Sequence, residues 1–327
     1  MGATTFRTLT ARFGSGASAW DATDSSHKIE ALDAADRALE SLAFLSARLL
    51  TLEDAGYPSS LLDLADPPPC LFARGNLELL HRPIVAIVGT RGSTLYGERV
   101  TREIAAALAR SGATILSGLA RGIDGVAHRA ALDAGGGTAG VLGTGIDVAY
   151  PRSHVELHER MTRDGLLLSE ELPGEAATGG SFPKRNRIIA ALARATIVVE
   201  APARSGALIT ASQALSLGRA VAAVPGPIDS PHSAGSNALL RDGAIVVTDV
   251  PDALVLAGLS PPSARPPMLD TSAELGVWRA LGQGPLNLDA LAARTSLPAR
   301  DCLAAVTALE LRGAVECTLT GEVRRRL

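Results

Sequence analysis

The sequence predicts an α/β protein built on a doubly wound, mostly parallel sheet. The first observation behind this is a series of short apolar runs: Ile84–Val88, Ala113–Ser117, Ala139–Leu142, Leu166–Glu170, Ile197–Glu200, Val221–Val224 and Ile245–Val247. The second is that most of them are separated by stretches with helical spacing, at Tyr96–Arg110, Ile123–Ala134, Val155–Asp164, Arg185–Ala193 and Leu208–Leu217. Short continuous apolar strands alternating with helices mean a parallel sheet covered on both faces. Residues 81–259 therefore read as one α/β domain.

The flanking segments have a different texture. Residues 1–29 are rich in Ala, Ser, Thr and Gly and lack an apolar h-region, so they read as a disordered tail rather than a secretory signal. From Ala31 to Leu50 the residues Leu32, Leu39, Leu42, Leu45 and Leu49 recur at helical spacing, and turn-rich Tyr57–Leu61 and Asp66–Cys70 follow. Residues 30–80 are expected to form a small, mainly helical N-terminal unit. Residues 260–267, Ser-Pro-Pro-Ser-Ala-Arg-Pro-Pro, read as a stiff linker. Beyond it, residues 268–327 show helical patterns at Ala273–Leu281, Leu288–Thr295 and Pro298–Arg312. A strand at Val315–Leu319, a Thr320-Gly321 turn and the basic run Arg324–Arg326 follow. That order is the outline of a winged helix. Its recognition helix would be Pro298–Arg312, whose charges are mixed, so duplex contact and docking of a protein partner both remain open.

Composition narrows the function classes. Of 327 residues 46% are hydrophobic, which excludes disorder of the whole chain. No apolar run approaches the ~20 residues of a membrane span. Three widely spaced cysteines without a Cys-x-x-Cys pair exclude a disulfide framework or a Cys-rich zinc site, and fit a reducing, cytoplasmic setting. The net charge of −3 excludes nothing about nucleic acid, because a near-neutral total can hide one basic groove.

In an open α/β sheet, ligands bind beyond the carboxyl ends of the strands. Three loops there share a composition: Gly89-Thr-Arg-Gly-Ser-Thr94, Ser117-Gly-Leu-Ala-Arg-Gly-Ile-Asp124 and Ala201–Thr210, which contains Arg204-Ser-Gly206. Glycine admits an oxyanion close to the backbone, helix N-terminal amides and hydroxyls donate to it, and arginine adds a bidentate donor. A fourth segment, Phe182-Pro-Lys-Arg-Asn-Arg187, places three cations just before an apolar helix, where the dipole opposes them, so a bound anion gives a motive. Arg91, Arg121, Lys184, Arg185, Arg187 and Arg204 together exceed what one mononucleotide needs and fit a run of phosphates, a nucleic-acid backbone. Phe182 could stack on a base.

The rivals are weaker. The first loop fails the Gly-x-Gly-x-x-Gly dinucleotide pattern, and no Walker-type Gly-Lys motif is present. Asp124 and His128 stand four apart on one helix with no third ligand at matching spacing. They are expected to be structural, with Asp124 as a cap. Glu170, Glu171 and Glu200 at strand ends are expected to pair with the arginines. As catalytic acids they would instead suit a nucleotide-hydrolysing enzyme of related fold.

At these motifs the sequence resembles the DNA-processing protein A (DprA/Smf) family. The matching stretches are Val85–Arg91 with Tyr96-Gly97, Ser117–Asp124 with Ala127-His128, Val141–Asp147 with Tyr150-Pro151, and Phe182–Ile189. Val198–Ala201, Ser205–Ala211 and Val224–Gly226 close the series, and Tyr57–Leu61 and Leu71–Asn76 match upstream. The resemblance implies an extended Rossmann fold, a sterile-alpha-motif-like (SAM-like) N-terminal helical domain and a C-terminal winged helix. It implies a dimeric protein, not an enzyme and without cofactor or metal, that binds and protects single-stranded DNA. Such proteins load RecA recombinase onto incoming strands in natural transformation, against the barrier of single-strand binding protein. The implied DNA-binding residues are Arg91, Ser117, Gly118, Lys184, Arg185, Asn186, Arg187, Ser205, Gly206 and Thr210, to which the loop chemistry and the stacking argument add Gly89, Thr90, Arg121 and Phe182. Ala191, Ala193 and His154 depart from the family pattern without removing a cation.

Overall fold

A computed structural model describes residues 12, 16–21, 25–259, 269–318 and 321–325. The chain divides into two compact units, Met1–Leu259 and Ser260–Leu327. The linker expected over 260–267 lies outside the described residues, as does most of the tail expected over 1–29, although helices α1 (Gly16–Asp21) and α2 (Ser25–Leu45) begin within it.

The first unit holds a nine-stranded sheet in the order β1-β2-β6-β5-β4-β3-β7-β8-β9. Its parallel part is β3 (Ile84–Val88), β4 (Thr114–Ser117), β5 (Gly137–Leu142), β6 (Leu166–Ser169), β7 (Ala195–Val198), β8 (Ala220–Ala223) and β9 (Ile245–Val246). Each coincides with an apolar run of the sequence. These strands are buried on both faces, except the edge strand β9, which explains why they read as unbroken hydrophobic runs. Alternate residues point to opposite faces. Val85 and Ile87 pack with α3 (Leu95–Arg110), α4 (Ile123–Asp133) and α9 (Val250–Leu256). Ala86 and Val88 pack with α6 (Ser181–Leu192) and α7 (Gly206–Ser216), on the side where Leu239 and Leu240 of α8 (Ala234–Arg241) also lie. Helix α5 (Val155–Asp164) covers β5 and β6 beside α4 through Leu157 and Met161.

Residues 30–80 differ from the expectation of a separate, SAM-like helical unit. After α2 the chain forms β1 (Arg48–Thr51) and β2 (Cys70–Gly75), and β2 pairs antiparallel with β6. Tyr57, Leu61, Leu64, Leu71 and Leu79 enter the same core as α6 and α7. The physical reason is that one amphipathic helix and two short 3-10 turns offer too little apolar surface for a core of their own, whereas the open edge of β6 offers both backbone partners and cover.

The second unit comprises α10 (Ser272–Ala280), α11 (Leu288–Thr295), α12 (Ala299–Leu311) and a three-stranded antiparallel sheet. Its strands are β10 (Leu286–Asn287), β11 (Val315–Cys317) and β12 (Glu322–Arg325), in the order β10-β12-β11. This is a winged helix around a core of Val277, Trp278, Leu291, Val306 and Leu309. Three of its arginines are engaged: Arg312 pairs with Asp270 and Glu274, Arg324 with Glu316, and Arg325 lies 4.2 Å over the Trp278 ring.

Candidate nucleic-acid interface

The sheet order sets where a cleft can form. From β3 the chain moves outward through β4, β5 and β6, then returns to the other side of β3 for β7, β8 and β9. The loops after β3 and β7 therefore diverge, and the space between them at the carboxyl ends of the strands is the topological switch point. A cleft of about 480 Å³ occupies it.

Its floor and walls come from three segments of the sequence-derived set. The loop after β3 supplies Gly89, Thr90 and Arg91, the loop after β7 supplies Arg204, Ser205, Gly206 and Thr210, and α6 supplies Phe182, Arg185 and Asn186. Backbone approach is close throughout. A Cβ on Gly89 would lie 2.5 Å from Ile123 Cγ1, and one on Gly122, whose φ is +72°, 2.3 Å from the Thr90 carbonyl oxygen. The Thr90 amide donates to the Glu200 carbonyl at 2.7 Å, stitching the two diverging loops together. Glu200 is itself buried. Its carboxylate accepts from the Thr94 amide at 3.0 Å and from the Thr94 hydroxyl, whose oxygen caps α3 by accepting from Gly97. It therefore positions the helix start and, among the described residues, pairs with no arginine, contrary to expectation. On the other wall Ser205 Oγ accepts from the Ala207 amide at 3.3 Å, and the N-terminus of α7 opens on the cleft. Thr210 sits one turn further on, its hydroxyl directed to the Gly206 carbonyl at 3.5 Å.

The cations divide into two groups. Arg91 and Arg204 are exposed and line the cleft. Arg91 lies 5.3 Å from the Phe182 ring centroid, and Phe182 in turn packs on Tyr150 at 5.1 Å. Arg185, by contrast, is buried. Its guanidinium donates to the Gly118 carbonyl at 2.7 Å, to the Val141 carbonyl and to Asn186 Oδ1 at 3.2 Å. A Cβ on Gly118 would meet it at 2.4 Å. Burial lowers its pKa to about 10, opposed by Asp124 and reinforced by the charge of Arg91. Asp124 is buried against it, its carboxyl raised by desolvation, and accepts from the Gly118 amide at 3.1 Å rather than capping its own helix.

Lys184 and Arg187 do not line the cleft. Arg187 makes a bidentate pair with Glu170 at 2.8 and 2.7 Å and donates to the Asp66 carbonyl, while Lys184 Nζ lies 3.4 Å from Glu170 and 3.5 Å from Glu171. The expected pairing of those two glutamates with basic residues is therefore present. The basic run was expected just before a helix, but α6 starts at Ser181, so the run lies inside it. Positions 184 and 187 share one face, while 185 turns inward and 186 faces the cleft. Ser117 is also structural, donating to the Ile87 carbonyl at 2.6 Å. Arg121 is exposed at the rim, next to Ala120 of the cleft wall. Arg204, one of the cations the sequence singled out, lines the cleft, whereas Tyr150 and the 43% exposed Ile209 belong to the cleft or its border but not to the sequence-derived site. A ring beside Phe182 and an apolar residue on a helix carry no sequence signal of their own.

Among the described residues no three His, Cys, Asp or Glu side chains stand together as a metal site, and no helix is long and apolar enough to cross a membrane.

Residues 48–257 match the family described as DNA recombination-mediator protein A, and residues 261–318 match the DprA winged helix domain. The chain is 39% identical over 289 residues to Protein Smf of Escherichia coli, covering 85% of this chain and 77% of that protein. The X-ray structure of DNA processing protein A from Streptococcus pneumoniae superposes with a TM-score of 0.63 at 40% identity, over 73% of this chain and 81% of that one. The DNA processing protein A of Helicobacter pylori, whose structure is described as showing a unique single-stranded DNA binding mode, superposes with a TM-score of 0.57. It is 33% identical, over 62% of this chain and 92% of its own. With a switch-point cleft on a mostly parallel sheet, a winged helix beyond it and both segments matched, the chain belongs to the DNA recombination-mediator protein A (DprA/Smf) family of DNA-processing proteins.

Proposed function

We propose that the chain binds single-stranded DNA in the switch-point cleft and acts as a recombination mediator. In this reading it is a cytoplasmic homodimer, not an enzyme, that protects incoming strands and loads RecA recombinase on them past single-strand binding protein during natural transformation. The observation that carries the reading is the cleft itself: two exposed arginines with no ion pair among the described residues, an open helix N-terminus and an aromatic ring around one hollow. The single-stranded DNA binding mode described for the Helicobacter pylori relative supports it.

The roles are narrower than composition suggests. Arg91 and Arg204 neutralise phosphates. The Gly89, Thr90 and Gly206 backbone and the Ser205 cap fix their geometry. Phe182, held by Arg91 on one side and Tyr150 on another, presents a ring to a base. Arg185, with Gly118, Ser117 and Asp124, is the scaffold beneath, and Lys184 and Arg187 brace the outer face of α6. Phosphate-led binding with few aromatic contacts is strongly salt-dependent and tolerant of sequence.

The test is fluorescence anisotropy with a labelled single-stranded oligonucleotide. Arg91→Ala should weaken binding several-fold and lower the slope of log Kd against log salt by about 0.7, the value for one phosphate contact on a single strand. Unchanged affinity and slope would remove the cleft from the account. Incubation with nucleoside mono- and triphosphates should release neither base nor phosphate; release would favour the hydrolase reading instead.

A further inference from the structure

Several arginines outside the cleft make no ion pair among the described residues, and three of them lie near one another beside its rim. Arg121, Arg129 and Arg152 are all exposed, whereas nearby Arg160 pairs with Asp133 and, across the sheet end, Arg187 pairs with Glu170. Backbone contacts place the three in sequence from the cleft rim. Arg121 precedes Gly122, whose Cβ would lie 2.3 Å from the Thr90 carbonyl oxygen and 2.8 Å from the Arg91 carbonyl carbon, so residues 121 and 91 are neighbours. On α4, Gly122, Gly125 and Arg129 share a face at helical spacing, with Arg129 about 9 Å along the axis from the first turn. A Cβ on Gly125 would lie 2.7 Å from His154 Cε1 and 3.0 Å from Arg129 Nη2, so the Arg129 guanidinium and the His154 ring cover that glycine together. Arg152 lies in the same 3-10 turn as His154. Burial lowers the His154 pKa, the hydrogen bond to the Leu119 carbonyl and the charge of Asp124 oppose it, and the charges of Arg129 and Arg121 add to it. The nearest buried carboxylate, Asp124, is hydrogen-bonded to the Gly118 amide and faces Arg185.

Exposed like charges near one another repel, and among the described residues none of the three is held in an ion pair. We propose that Arg121, Arg129 and Arg152 form a second phosphate-binding track, over which a DNA strand leaving the cleft past Arg91 continues across the outer face of α4. The track rests on the cleft being a strand-binding site. It contributes only to strands longer than the cleft, through phosphate charge.

The experiment uses the full chain and two labelled deoxythymidine oligonucleotides, one of about 6 and one of about 20 nucleotides. Arg129→Gln with Arg152→Gln keeps polar stems and removes both charges. The short strand should bind within about twofold of the unsubstituted protein. The long strand should weaken about tenfold, with its salt slope reduced by about 1.4, twice the single-contact value. Circular dichroism should show an unchanged melting temperature, since both side chains are exposed. Unchanged binding of the long strand, or equal weakening of both strands, would overturn the track. Arg91→Ala separates the two ideas. If it leaves the short strand unaffected, the cleft reading fails, whereas loss confined to the long strand in the double variant concerns the track alone.

Discussion

His128 shows how far the fold controls one side chain. It is fully buried on α4, and its Nδ1 lies 2.7 Å from the Thr138 hydroxyl. That hydroxyl donates its only proton to the Ile115 carbonyl at 2.9 Å, so the imidazole must donate to it and carries its proton on Nδ1. Its Nε2 then has no partner among the described residues. Burial, with the charges of His154, Arg129 and Arg185 acting the same way, lowers its pKa from 6.5 to about 3. The ring is therefore neutral in the native state, while in the unfolded chain it takes up a proton below pH 6.5. Stability from this site is complete above pH 6.5 and is lost as pH falls towards 3, because the unfolded state binds more protons across that window. The expected slope is at most about 1.4 kcal/mol per pH unit for one such group. Urea denaturation between pH 7 and pH 4 should show stability falling with pH, and His128→Asn should flatten part of that fall. A slope identical in the two proteins would show that other groups govern the acid limb.

Helix α6 carries the greatest contrast between what its sequence advertises and what its placement does. The strands of the parallel sheet were legible because burial on both faces leaves unbroken apolar runs, and the intervening helices because one apolar stripe recurs at 3.6 residues. The strands β1 and β2 were not legible. Both pair antiparallel, outside the alternation of strand and helix, and the helical spacing of the preceding leucines masked the change. For α6 the residues were legible and their directions were not. Starting the helix four residues earlier than the apolar pattern suggested sends Lys184 and Arg187 to Glu170, Asn186 to the cleft and Arg185 into the interior. There Arg185 ties α6 to the ends of β4 and β5 through the Gly118 and Val141 carbonyls and balances Asp124. Arg185→Ala would leave that carboxylate buried without its cation and two carbonyls short of a donor, a loss of about 3–5 kcal/mol. Arg185→Lys should recover little, because an ammonium cannot reproduce the planar fork. Denaturant midpoints give the comparison. A loss below about 1 kcal/mol for the alanine variant would mean that water replaces the guanidinium and that the strut is dispensable.

At the scale of the whole molecule, every element of the cleft belongs to one unit. The loops after β3 and β7, the start of α6 and the arginines of the α4 face all lie before Leu259. The apolar cores of that unit draw only on residues up to Leu259, while the winged helix closes its own core from Leu269 to Val323. Each has an independent apolar centre, which is the physical requirement for folding alone. In the winged helix Arg312, Arg324 and Arg325 are held by Asp270 and Glu274, by Glu316 and by the Trp278 ring, and the charges of α12 are mixed. A chain ending at Leu259 should therefore melt cooperatively and keep the affinity of the full chain for a single strand within about threefold, with the same salt slope, because the number of phosphates neutralised is unchanged. Duplex DNA should bind no better to the full chain than to the shortened one. A slope that drops on truncation, or a duplex affinity that vanishes with the winged helix, would move part of the nucleic-acid surface into the second unit. The recognition helix α12, with Arg300 on its exposed side, would then be the place to look for it.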